Sequence, residues 1–131
     1  MKHRNLVHLK LSVIGILSSF LLSACYGSGS SSRNQIPALM SPTDMTGDAA
    51  SKNNEGVDHL VQAHYDVALG FFQEALSANP NFAEAHFNMA ISLDGMGKHA
   101  EATTSFQKAK DLGGDNQKIT ENPVLKKHLE S

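Results

Sequence analysis

The sequence predicts an all-α fold: two helix-turn-helix repeats and a C-terminal capping helix, following a signal peptide and a disordered tether. Three observations carry this. Landmark residues recur at a spacing of 34 between Gly56 and Gly114: Gly56 with Ala90, Ala63 with Gly97, Tyr65 with His99, Ala68 with Ala102, Phe72 with Phe106, and Ala75 with Ala109. Within each copy the apolar residues fall at helical spacing. Ahead of them lie a positive head with an apolar run, then a stretch rich in serine, glycine and proline. The expected domains are residues 1–24, a signal peptide; 25–49, Cys25 with a flexible linker; and 50–131, the helical domain.

Lys2, Arg4 and Lys10 precede the apolar run Leu11–Leu22, whose 12 residues are too few to span a bilayer as a helix. The run ends in Leu22-Ser23-Ala24-Cys25, which resembles the bacterial lipobox. That resemblance implies cleavage between Ala24 and Cys25 and a diacylglyceryl group on the Cys25 sulfur, joined by an N-linked acyl chain such as palmitate. Several acyl chains, each contributing about 0.8 kcal/mol per buried CH₂, make a stable anchor. Tyr26 stands where aspartate marks inner-membrane retention in enterobacterial lipoproteins, so the resemblance favours the outer membrane facing the periplasm. Beyond the covalent lipid no cofactor is expected.

Gly27 to Ser32 reads Gly-Ser-Gly-Ser-Ser-Ser, and Pro37, Pro42 and Gly47 follow among polar residues. About 25 residues of such chain span roughly 25–30 Å, which keeps the helical domain within a few nanometres of its membrane. Ile36, Leu39 and Met40 are apolar exceptions able to dock on a partner or on the domain itself.

The first helix is expected from about Ser51 to His64, with Val57, Leu60, Val61 and His64 on one face. The second, 66–78, places Val67, Ala68, Phe71, Phe72, Ala75 and Leu76 on a broad stripe. Ala68 and Ala75 lack bulk, so a neighbouring helix can approach closely beside Phe72. Asn79-Pro80-Asn81 ends that helix, and Asn81 can cap the third, Phe82 to Asp94. Gly95-Met96-Gly97 makes the turn to the fourth, Ala100 to Leu112, where Thr103, Thr104 and Ser105 give a more exposed face. Gly113-Gly114 stops it. After a polar connection Asn122-Pro123 starts a short last helix with Val124, Leu125 and Leu129 inward and Lys126, Lys127 and Glu130 outward.

The 34-residue period with its small, aromatic, small pattern and Pro80 resembles the tetratricopeptide repeat. Lys52, Glu55 and His59 stand where that family usually has tryptophan, leucine and tyrosine. The resemblance implies a concave groove, lined by the first helix of each repeat, that accepts peptides or helices. The matching positions are Asn53, Val57, Leu60 and Val61 from the first repeat, with Glu84, Phe87, Asn88, Ile91 and Asp94 from the second. Hydrophobic anchoring with a polar rim follows, since no arginine is placed to grip a carboxylate. The competing use of Phe87 and Ile91 is burial against the tether or the last helix.

The chain has 11 basic and 13 acidic residues; loss of the first 24 leaves 8 basic against 13 acidic, so no field for nucleic acid exists. Cys25 is the single cysteine, which excludes internal disulfides and thiolate zinc sites. The histidines left after cleavage, His59, His64, His86, His99 and His128, show no recognisable ligand spacing, and no metal site is expected; an approach of His86 to His59 across the helix pair is the one candidate. No nucleophile, phosphate-loop or haem motif is present, so no enzyme is expected.

The function expected is therefore a membrane-anchored envelope lipoprotein serving as a protein–protein adaptor or assembly factor, its partner another envelope protein. Two other readings stay open: a self-associating, homo-oligomeric structural protein without a dedicated client, and a His-dependent metal carrier.

Overall fold

The computed structural model describes residues 35–131. The signal peptide, the cleavage position Ala24 and the lipidation position Cys25 lie outside the described residues. The order is α1 (Asp48–Leu60), α2 (Tyr65–Ala78), α3 (Ala83–Gly95), α4 (His99–Gly113), α5 (Gln117–Thr120) and α6 (Pro123–Leu129). There are no strands among the described residues. Two helical hairpins followed by a C-terminal helix thus form the expected all-α fold. No helix among the described residues is long and apolar enough to cross a membrane.

The two hairpins repeat in backbone as well as in sequence. Ala63 and Gly97, 34 apart, both take the left-handed conformation, at φ 61° and 77°. Each turn therefore reverses the chain in the same way, although only one copy has glycine to do it without strain. Phe72 and Phe106, also 34 apart, are wholly buried. The alanines flanking them, Ala68 and Ala75, Ala102 and Ala109, are equally buried, and their small side chains let the helices close around the rings. Gly56 on α1 shows how tight this is: a Cβ there would stand 2.5 Å from the Phe72 ring.

One continuous core runs from Val57 and Leu60 through Phe72, Phe87, Ile91 and Phe106 to Ile119 and Leu125. Phe87 and Phe106 meet edge to face with centroids 5.5 Å apart, an arrangement that favours aromatic pairs beyond their buried area. Ala75, Phe82 and Ala85 form a second cluster, against which Met45, Ala49 and Leu76 pack.

Several expected details change. α1 begins earlier and stops at Leu60, so Val61 and His64 leave its face and are exposed. On α2 the buried stripe narrows to Ala68, Phe72 and Ala75; Val67 is exposed and Phe71 half-buried. Asn81 caps nothing: Phe82 is the N-cap residue of α3, and it is Asn79 Oδ1 that accepts a bond, from the Asn81 amide. The polar connection before the last helix contains α5, whose Ile119 is fully buried under an Asn116 cap. Asn122 caps α6 as expected, accepting from the Val124 amide at 3.0 Å.

The largest difference concerns residues 36–47. Read from composition as linker, they lie against the helices: Ile36, Ala38 and Leu39 pack on the main core. The physical reason is that three apolar side chains find a core to join and the intervening backbone finds amide partners, described next. Met40 alone of the three expected exceptions points to solvent, 54% exposed.

Candidate functional site

The site is built on α1 and α3, the first helices of the two repeats. Asn53 and Asn88 are wholly buried, a position that carboxamides tolerate only when their hydrogen bonds are satisfied. Their partner is the backbone of Leu39, just past a tight turn in which the Ala38 amide donates to the Ile36 carbonyl at 2.8 Å. The Leu39 amide donates to Asn88 Oδ1 at 2.8 Å, and Asn88 Nδ2 donates back to the Leu39 carbonyl at 2.7 Å. One side chain therefore satisfies both main-chain groups of one residue, as a neighbouring β-strand would.

Asn53 completes the clasp. Its Nδ2 donates to the same Leu39 carbonyl at 3.1 Å and to Ser41 Oγ at 3.2 Å, while its Oδ1 accepts from Asn88 Nδ2 at 2.9 Å. Ser41 is fixed twice more, its amide donating to Asn54 Oδ1 at 2.8 Å and its hydroxyl to the Ala50 carbonyl at 3.0 Å. Backbone bonding of this kind reads main-chain groups and not the sequence; selection comes from the apolar side chains at Ile36, Ala38 and Leu39.

The nine residues expected to line a groove are not one surface. Asn53 and Asn88 meet at the clasp, and Val57, Leu60, Phe87 and Ile91 belong to the core, each 6% exposed or less. Phe87 is not a groove residue, because its ring packs on Phe106 inside the second hairpin. Val61 is 56% exposed beyond the end of α1. Glu84 accepts from Asn116 Nδ2 at 2.9 Å, which ties α3 to the α5 cap. Asp94 sits at the far end of α3 beside His99 and His128. Phe87 and Ile91 are both buried in the main core, with the Phe87 ring against Phe106 of α4.

The histidines also depart from expectation. His59 stacks on Phe71 with centroids 5.4 Å apart, and the early end of α1 brings His64 to 5.9 Å from it. His86 turns away to hydrogen-bond the Pro80 carbonyl through Nε2 at 2.9 Å, leaving Nδ1 buried without a partner. Burial holds its pKa below the usual histidine value, the Pro80 carbonyl opposing that and Lys108 adding slightly to it. His86 therefore makes no pair with His59.

On the outer face of the first hairpin Lys52 bridges to Glu74 on α2 at 3.3 Å and to Glu55 at 3.5 Å. Its ammonium also lies 5.2 Å from the centre of the Phe71 ring.

A tetratricopeptide repeat family model matches residues 71–104, from the middle of α2 through α3 into α4. Those residues are similar to a tetratricopeptide repeat, and the repeat points to a protein–protein interaction role with protein partners. Among curated proteins and among solved structures nothing matches the chain.

Proposed function

We propose that this chain is a lipid-anchored envelope adaptor or assembly factor, and that its α1–α3 groove takes a segment of a partner envelope protein where Ile36–Ser41 now lies. The observation that carries the reading is the Asn53–Asn88 clasp on Leu39. Two buried carboxamides from successive repeats hold the main-chain groups of Leu39, and a partner segment with small or aliphatic side chains offers them the same groups. The anchor is supported by Leu22-Ser23-Ala24-Cys25 and the positive head before it.

The resident segment then serves as an internal ligand. Only residues 26–35 separate Cys25 from Ile36. Displacing residues 36–47 would free 12 residues, which at about 3.3–3.6 Å each lengthen the tether by about 40 Å. Partner binding and reach from the membrane are thereby coupled.

A fluorescent peptide of residues 35–42 added to the purified full chain tests the groove. A Leu39→Asp chain, its own segment evicted and its helicity checked, binds the peptide, whereas the native chain, already occupied, binds it at least tenfold more weakly. Equal binding, or binding by neither, contradicts the reading. For the anchor, labelled palmitate enters the native chain and not Cys25→Ser; labelling of both, or of neither, removes it.

A further inference from the structure

Asp94, His99 and His128 meet from the last turn of α3, the first residue of α4 and the last turn of α6. His99 Nδ1 lies 2.7 Å from Asp94 Oδ1, and His128 Nε2 lies 3.0 Å from the same oxygen. The three donor atoms fall within 4.8 Å of one another and, with Thr103 and Lys127, line one shallow pocket.

The hydrogen bonds around His128 determine what the cluster wants. Thr103 Oγ1 donates its single proton to the His99 carbonyl at 2.9 Å, so toward His128 Nδ1, at 3.2 Å, it accepts. In the tautomer with its proton on Nδ1, the His128 ring presents the Nε2 lone pair toward the Asp94 carboxylate, the form in which a histidine and a carboxylate can share a cation. A second imidazole nitrogen on the same oxygen makes the set two nitrogens and one carboxylate, which suits a divalent ion of the zinc class.

The geometry is close to what such an ion requires. Zinc takes nitrogen and carboxylate ligands at about 2.0–2.2 Å, which in a tetrahedron places donor atoms roughly 3.3 Å apart. The present separations from Asp94 need only small side-chain rotations. His128 is already oriented: its side chain is 11% exposed, its ring lies 4.9 Å from that of Phe106, and Thr103 fixes its outer nitrogen. A histidine ligand whose second nitrogen is held this way is the usual arrangement around protein-bound metals.

We propose that Asp94, His99 and His128 bind one divalent transition cation, zinc being the probe, with Thr103 as the positioning residue for His128 and water in the fourth position. The ion joins the ends of α3 and α4 to α6 and so staples the C-terminal helix onto the second hairpin. The sequence reading expected no metal; Asp94 and His99 are five residues apart across a turn and His128 lies 29 further on, so no motif spacing announces the set.

The test is zinc titration of the purified full chain by calorimetry, with thermal melts in zinc and in chelator. Asp94→Asn and His99→Ala, the latter at a side chain 70% exposed, keep the native melting temperature in chelator. The native chain binds zinc saturably and melts higher with it. Both variants weaken that binding at least tenfold and lose the shift. Thr103→Val, which leaves every ligand in place, weakens it by about 10–100-fold, as loss of an orienting partner does. His64→Ala, remote from the cluster, matches the native chain. Zinc isotherms for Asp94→Asn and His99→Ala that coincide with the native one overturn the site, whether all bind or none does.

Discussion

The two hairpins share a backbone but not an environment. α1 buries Ala50, Asn53, Gly56, Val57 and Leu60 along one stripe and leaves the rest to solvent. α3, its counterpart, buries nine of its 13 residues, including His86, Asn88 and Ser92. The reason is position: the 36–41 segment bonds to both helices, but α3 has α2 on one side and α4 on the other, whereas α1 ends the stack. A repeat pattern therefore fixes where the chain turns and which small residues admit a neighbour. What a given position does depends on how many neighbours surround it.

The sharpest way to break the comparison is to truncate α3 at its centre. Phe87→Ala should cost about 3–5 kcal/mol in urea unfolding, because a wholly buried ring leaves a cavity. Val61→Ala, one of the same nine expected groove positions, should change stability by less than about 0.5 kcal/mol. Equal costs would mean that the first hairpin is as enclosed as the second.

Asn88→Ala comes next. It strands the Leu39 amide and the Asn53 carboxamide oxygen together, and an unsatisfied buried group costs about 1–3 kcal/mol. A loss below about 0.5 kcal/mol by the same unfolding measurement would show that the segment contributes nothing to the fold. Gly56→Ala is comparable at about 1–3 kcal/mol, since its Cβ would overlap the Phe72 ring. Ala90, the residue 34 further on, already carries that methyl group and is wholly buried.

Smaller effects separate the two turns. Ala63→Gly should stabilise by about 0.5–1 kcal/mol, because alanine is held at φ 61° where its twin Gly97 is at ease. No gain in melting temperature would place the strain elsewhere. The smallest effect belongs to His86. Its folded pKa is depressed, so the unfolded chain binds the proton more readily and stability is lost as pH falls below about 6.5. His86→Gln should shrink that loss; an identical pH profile would show that His86 does not contribute to it.

The helical hairpins were legible because burial imposes a period: Phe72 and Phe106, with alanines before and after, mark the same place in both. Asn122-Pro123 was legible because a cap is a local event. The docking of residues 36–41 was not, since a carboxamide that grips a backbone leaves no periodic trace, and proline and serine look alike in a docked segment and a free one. Composition suggested a linker; Asn53 and Asn88 made it part of the fold. The same limit hid Asp94, His99 and His128, which three helices bring together from distant positions. Phe87 was misplaced for a different reason. Helical spacing cannot distinguish a groove side chain from one buried by a neighbour that the periodicity does not describe.

The most direct test of a groove filled by the chain's own segment is residue-resolved hydrogen exchange at the Leu39 amide. Its bond to Asn88 Oδ1 predicts exchange at least about 100-fold slower than in an open chain, with the protection lost in Asn88→Ala while amides in α4 stay protected. A Leu39 amide exchanging at the open-chain rate in the native protein would contradict it.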